Sequence, residues 1–380
     1  MSVSQVNSSE LNSSKANSPD VIRNPRHYRI VALPGEGIGP EVVEACLTIL
    51  EAIALTEGFT ITVERALIGG PARKQFGSPL PAETLRLCER SDGILFGAVT
   101  QGGLLELRRH FDLFTNLRPV RPSPSLINAS PIKAERLADV DLLFVRELVS
   151  GIYFGLSGRK TDENGPYGFH TMRYADQEIR RVAKVALGYA SRRRSHLVVA
   201  HKENALPHLP WSRLVAEEAI AFPTVKVEPM LVDNLAMQLV IRPRDFDVVL
   251  AGNLFGDILS DLGGAIAGSI GLLGSASLNA EGFGLYEAVH GTAPDIAGKG
   301  IANPLGTLAG VILMLEQWGE QKAADRLANI QASILAQGYR TFDLTSNLTS
   351  DITLQSASAS ETVLTTAALT DLFLMHIREP

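Results

Sequence analysis

Short apolar runs alternate with amphipathic segments along almost the whole chain, and this alternation limits the folds open to it more than any other feature. Residues 28–33, 94–98, 142–145, 197–200, 225–232 and 248–251 are rich in Val, Ile, Leu and Ala, the make-up of buried strands. Between them lie helical patterns. Val42, Cys46, Ile49 and Ile53 recur at helical spacing, and similar periods cover 178–191, 214–221 and 307–318. Strands alternating with helices predict an α/β fold with a largely parallel sheet. No repeat of about 20–50 residues is present, which excludes a solenoid or propeller.

The 380 residues suffice for two or three domains at about 150 residues each. A formal charge of −6 argues against a binder of nucleic acid or anionic membrane. No apolar run reaches the roughly 18 residues of a membrane span. Cys46 and Cys88 form no CxxC spacing, which excludes a disulfide scaffold or zinc finger and suits a reducing compartment; the cytoplasm is expected. Residues 1–26 are rich in Ser and Asn without a period and predict a disordered tail. Glu10 and Asp20 speak against a transit peptide there.

In α/β sheets the ligand site lies beyond the carboxyl ends of the strands, so the polar residues that close each run are candidates. They are Arg146 and Glu147; His201, Lys202 and Glu203; Asp233; and Asp257, reached through Gly252 and Asn253. Singly, each is as expected of any strand meeting water. Together they describe a site for an anion and a cation. Asp257 and Asp261 stand at i and i+4, on one face of a helix. With Asp233 they supply three hard oxygen donors, suited to Mg²⁺ or Mn²⁺ rather than zinc.

Arg108 and Arg118, with Arg146, make a candidate clamp for a di- or tricarboxylate, because guanidinium forks bind carboxylates bidentately. Arg109 is expected to be solvated, as are Arg192, Arg193 and Arg194 at a helix end. Gly35, Gly37 and Gly39 follow a strand, but the spacing is GxGxG, so the Rossmann fingerprint is absent. A second loop, 287–304, is rich in Gly and Ala and leads into a helix, where backbone can approach a nucleotide.

The motifs LPGEGIGPEV, LFTNLRP, VRELVSGIYFG, VDNLAMQLV, GNLFGDILSDLGG and VHGTAPDIAGKGIANP occur in this order. In them the chain resembles the β-hydroxyacid oxidative decarboxylases, the isocitrate/isopropylmalate dehydrogenase family, and within it the isopropylmalate dehydrogenases. The likeness runs from about Tyr28 to the C-terminal region. It implies a two-domain α/β fold with a large mixed sheet flanked by helices, not Rossmann. Residues 27–113 with 269–380 would form the NAD-binding domain, and 114–268 a second domain carrying dimerisation, metal and substrate residues. It further implies a homodimer with shared active sites.

Carried over by position, Arg108, Arg118 and Arg146 would hold the malate carboxylates and Tyr153 would be the general acid. Lys202, the base, would come with Asp233 from the partner subunit, and Asp233, Asp257 and Asp261 would hold the divalent metal. NAD would lie along His290, Gly291, Thr292, Ala293, Pro294, Asp295 and Ile296, and at Asn303. Asp295 would accept the adenosine ribose hydroxyls and repel a 2′-phosphate, which favours NAD over NADP. The implied reaction is NAD-dependent oxidative decarboxylation of a 3-substituted malate, 3-isopropylmalate first, as in leucine biosynthesis.

Four features depart from the family pattern. Glu36 stands where Asp is usual in the first glycine turn. The 97–105 segment is short and lacks the family's GGPKWD stretch. Gln101 falls at a usual Glu, and Ala205 at a usual Val, while Leu104 and Leu105 of the substituent pocket remain. A shorter loop and a trimmed side chain enlarge the pocket, so 3-benzylmalate is a second candidate substrate. A metal-dependent lyase without hydride transfer and a non-catalytic binding protein are the readings from other classes.

Overall fold

The computed structural model describes residues 26–345 and 361–379. The expected tail falls, except for Arg26, outside the described residues. The strands are β1 (His27–Gly35), β2 (Thr60–Arg65), β3 (Gly93–Ala98), β4 (Thr115–Val120), β5 (Leu142–Glu147), β6 (Ser157–Asp162), β7 (Gly165–His170), β8 (His196–His201), β9 (Lys226–Leu231), β10 (Val248–Ala251), β11 (Gly274–Leu278) and β12 (Gly284–Ala288). The helices are α1 (Gly39–Glu57), α2 (Gly69–Phe76), α3 (Ala82–Cys88), α4 (Leu104–His110), α5 (Ala134–Leu137), α6 (Asp176–Ser191), α7 (Trp211–Ala219), α8 (Val232–Ile241), α9 (Asn253–Ala267), α10 (Leu305–Gln317), α11 (Gln321–Ala336) and α12 (Thr366–Arg378).

Among the described residues a ten-stranded sheet runs in the order β2-β1-β3-β12-β11-β4-β5-β10-β8-β9. The strands of 27–98 and 274–288 make one half and those of 115–251 the other. Each run read as a strand is one, with a small shift at 225–232: β9 stops at Leu231 and Val232 already opens α8. The four helical periods correspond to α1, α6, α7 and α10. The central strands β3, β5, β10, β11 and β12 are buried along their whole length, because helices cover both faces.

The sheet is largely parallel, as expected, but mixed: three of its nine strand pairs are antiparallel. β4 and β11 run antiparallel to each other and to their outer neighbours β5 and β12. Their sequences, TNLRPV and GSASL, carry too few apolar residues to register as strands. Three successive reversals leave the two halves running in opposite senses. No single row of carboxyl ends therefore exists, and a site at the junction must lie across a face of the sheet. The β6–β7 pair stands apart as a two-stranded ribbon with almost all its side chains exposed. No described helix is long and apolar enough to cross a membrane.

Candidate active site

A cleft of about 330 Å³ opens where the two halves of the sheet meet. Its walls include the end of β3, α4 from Leu104 to Arg108, Arg118, Arg146, Tyr153, Asp257 and residues 287–291. Arg118 comes from the middle of β4, not from a strand end, and Arg146 is the penultimate residue of β5. The three arginines expected as a clamp are thus brought together, all three buried.

Three guanidinium groups in one buried place repel, and the chain offsets this with carboxylates and amides. Arg108 donates to Glu287 at 2.9 Å, an ion pair in which both side chains are 8% exposed. Arg118 donates to Asp261 Oδ1 at 2.9 Å, Ser260 Oγ at 2.7 Å and Asn116 Oδ1 at 3.0 Å. Arg146 pairs with Asp257 Oδ1 and donates twice to Asn253 Oδ1, at 2.7 and 3.2 Å. Burial lowers the Arg146 guanidinium to about 10, against the raising charge of Asp257, so it stays charged at neutral pH.

Tyr153 donates to Asp257 Oδ2 at 3.0 Å. Burial, the Asp257 charge and that hydrogen bond all raise its phenol above the ordinary value, so it keeps its proton at neutral pH. Asp257 and Asp261 project from α9 at helical spacing, as expected. Burial and the nearby Asp257 charge raise Asp261, with Arg118 opposing. Asp257 lines the cleft, while Asp261, paired with Arg118, lies outside its wall; two hard, mutually repelling carboxylates on one helix face fit a divalent cation.

Lys202 and Asp233 lie elsewhere. Lys202 Nζ donates to Asp233 Oδ1 at 2.6 Å, and this bond holds the Asp233 carboxyl below its usual value. Neither residue lines the cleft, nor does Ala205. Among the described residues no three His, Cys, Asp or Glu side chains gather as a metal site within one chain. Gln101 also lies outside the cleft wall: its side-chain amide sits over the backbone of Gly70. Leu104 and Leu105 do line the cleft, Leu105 with 42% of its surface exposed.

The 290–296 loop packs on the start of α1, where Ala293, Ile296 and Ala297 meet Ile38, Val42 and Ala302. Ile38 N donates to Thr292 O at 2.9 Å, and Gly37, with φ +61°, approaches Thr292 so closely that any Cβ would overlap it. His290 and Gly291 face the cleft, and the buried His290 Nε2 has no hydrogen-bond partner. Pro294 and Asp295 are exposed. An orphaned ring nitrogen beside open glycine backbone fits a nucleotide with polar edges. Asn303 is internally engaged: its amide donates to Asp343 at 3.0 Å and its oxygen accepts from Leu305 N at 3.0 Å, at the start of α10.

One expectation from the arginine runs changes. Arg193 is not merely solvated, since it pairs with Asp247, a carboxylate 1% exposed, and with Asp141. Arg109 is exposed as expected and stacks over the Phe154 ring at 4.8 Å. Sequence reasoning missed Asn116, Asn253, Ser260 and Glu287, which orient the three arginines. All four lay in segments already singled out, but none had a spacing that marked it.

A cleft clamped by arginines, with a tyrosine and paired aspartates, on a mixed α/β sheet without a Rossmann turn, defines a class of dehydrogenase. Residues 29–363 match the family model of isocitrate/isopropylmalate dehydrogenase, and the chain belongs to that family; it is an enzyme, an oxidoreductase. It is 46% identical over 338 residues to the 3-isopropylmalate dehydrogenase of Zymomonas mobilis subsp. mobilis, covering 84% of this chain and 96% of that one. The 3-isopropylmalate dehydrogenase of Aquifex aeolicus is 43% identical over 335 residues, 84% of this chain and 92% of its own. Among solved structures, isocitrate dehydrogenase from Methylococcus capsulatus superposes with a TM-score of 0.80 at 31% identity, over 93% of this chain and 100% of that chain. The expected α/β architecture outside the Rossmann class is thereby borne out.

Proposed function

We propose that the chain catalyses NAD-dependent oxidative decarboxylation of a 3-substituted malate, with 3-isopropylmalate as substrate and leucine biosynthesis as its setting. The observation that carries this reading is the cleft in which Arg108, Arg118 and Arg146 converge beside Tyr153 and Asp257. Relatives more than 40% identical over most of their length bear the name 3-isopropylmalate dehydrogenase.

In this reading the arginines bind the two malate carboxylates and orient the C2 hydroxyl. Lys202 takes the hydroxyl proton as hydride leaves C2, and Tyr153 delivers a proton to C3 after carbon dioxide departs. Asp257 and Asp261, with Asp233, would hold Mg²⁺ or Mn²⁺, which would supply Lewis acidity. The 290–296 loop and Asn303 hold NAD, the hydride acceptor, and Asp295 disfavours a 2′-phosphate.

The separation of Lys202 and Asp233 from the cleft supports a homodimer in which a second copy completes each site. So does exposed apolar surface on α8 and α9, at Met237, Val240, Ile241 and Ile258. The β6–β7 ribbon adds to this, since an isolated two-stranded ribbon is marginal in water. We assign two domains, 27–113 with 269–380 and 114–268, because the strand order divides there. Two free, buried cysteines suit a reducing compartment, and we place the enzyme in the cytoplasm.

The test is NAD reduction with Mg²⁺ on 3-isopropylmalate and 3-benzylmalate side by side. A kcat/KM at least about tenfold higher on the isopropyl compound, roughly 1.4 kcal/mol, supports the reading. The aromatic substrate is kept as second reading because Leu105 at the cleft wall is 42% exposed. Its preference in this assay would reassign the substrate. Decarboxylation without NAD reduction would leave only a lyase.

A further inference from the structure

The Glu36 carboxylate ties together three separate segments of the chain. Its Oε1 accepts from Gly70 N at 2.7 Å and Gln101 N at 3.3 Å; its Oε2 accepts from Thr100 Oγ1 at 2.6 Å and Thr100 N at 3.3 Å. Gly69, with φ +70°, leaves room for this, because a Cβ there would stand 2.5 Å from Oε1. Glu36 N itself donates to Ala98 O at 2.7 Å, at the end of β3. One side chain therefore joins the β1–α1 turn, the start of α2 and the short segment after β3.

That segment leads directly into the cleft wall. Gly103, with φ +99°, is wedged against Ile68 and Pro79 and opens α4, whose first residues are Leu104 and Leu105. Glu106 caps the turn by accepting from Gly103 N at 3.0 Å. Between Ala98 and Gly103 the backbone is held by Glu36 and by one exposed bond from Arg73 to Gln101 O. The turn's contact with Thr292 of the 290–296 loop, by contrast, is made by backbone alone.

We infer that Glu36 is a positioning residue that sets the apolar wall of the substituent pocket: it fixes Thr100 and Gln101, hence Leu104 and Leu105, without touching substrate. The inference rests on the cleft being the site for a 3-substituted malate. A carboxylate accepting four hydrogen bonds anchors a loop that has no strand or helix of its own. Removing it frees the wall while leaving the backbone contact to the nucleotide loop in place.

The experiment compares wild type, Glu36→Ala and Glu36→Gln. Amide exchange, without substrate, is read at Gly70, Thr100, Gln101 and Leu107, the first α4 amide bonded back to Gly103 O. Glu36→Ala should speed exchange at all four by about tenfold or more. It should also raise the KM for malates and shift the isopropyl-to-benzyl preference by about fivefold, with kcat and the KM for NAD within about threefold. Glu36→Gln keeps an acceptor for Gly70 and Gln101 but turns an NH2 towards Thr100 N, so it should fall between wild type and Glu36→Ala, with exchange fastest to rise at Thr100. Unchanged exchange at Leu107 overturns the inference, as does faster exchange with an unchanged preference, or an equal rise in both KM values. If wild type turns over neither malate, the functional reading fails, while exchange still decides whether the clamp holds α4.

Discussion

Two regions built from the same kinds of residue differ sharply in how finished they are. Around Arg118 and Arg146 every guanidinium is buried and matched by carboxylates and amides of its own chain. Lys202 has one partner, Asp233, whose side chain is 64% exposed. The first region is a finished network whose charges were desolvated during folding. The second is a single ion pair open to solvent on its Asp233 side, with the Lys202 side chain 28% exposed, so less charge is desolvated there. Substitutions in the first should therefore alter stability, and in the second, chemistry alone.

The largest expected effect breaks the comparison if it fails. Lys202→Met should lower kcat by about 10²–10⁴-fold and leave the melting temperature unchanged, as kinetics and calorimetry on one sample will show. Glu287→Ala leaves Arg108 buried and unpaired, and should cost about 3–5 kcal/mol in a denaturant titration. Asn253→Ala removes the acceptor of two Arg146 bonds and should cost about 1–3 kcal/mol, with a raised KM for malate. The smallest effect sharpens the picture of the assembled region. Glu147, fully buried and bonded to Val149 N and Ser150 N, has its carboxyl pushed up to about 7, chiefly by burial. The folded state then holds a proton that the unfolded chain has lost. Stability should fall as pH rises between about 4.5 and 7, by at most about 1.4 kcal/mol per pH unit. Glu147→Gln should flatten that slope in melting curves taken across the window.

The same contrast governs what was legible in the sequence. Long apolar runs such as 142–145 and 248–251 carried β5 and β10 because burial on both faces demands them. β4 and β11 left no such mark: Asn116, Ser275 and Ser277 bond to one another inside the sheet, and polar pairs solve burial where apolar periodicity is absent. Arg118 and Arg146 were visible as lone charges in apolar company. Their orienting partners were not, since Asn253 and Ser260 look like ordinary helix residues until α9 is laid against β4 and β5. Asp233 was readable from the residues only as a carboxylate; its separation from Asp257 came with the family resemblance, because distance between elements is set by packing and not by spacing.

The proposed completion of the cleft by a second copy is tested by subunit mixing. Tyr153→Phe and Lys202→Met chains, each inactive alone, are dissociated together, reassembled and assayed for NAD reduction. If Tyr153 and Lys202 meet across subunits, half of the dimers are mixed and each has one intact site, so about a quarter of wild-type activity should return. No recovery from a sample shown to contain mixed dimers would place both residues in one chain's site and contradict the claim.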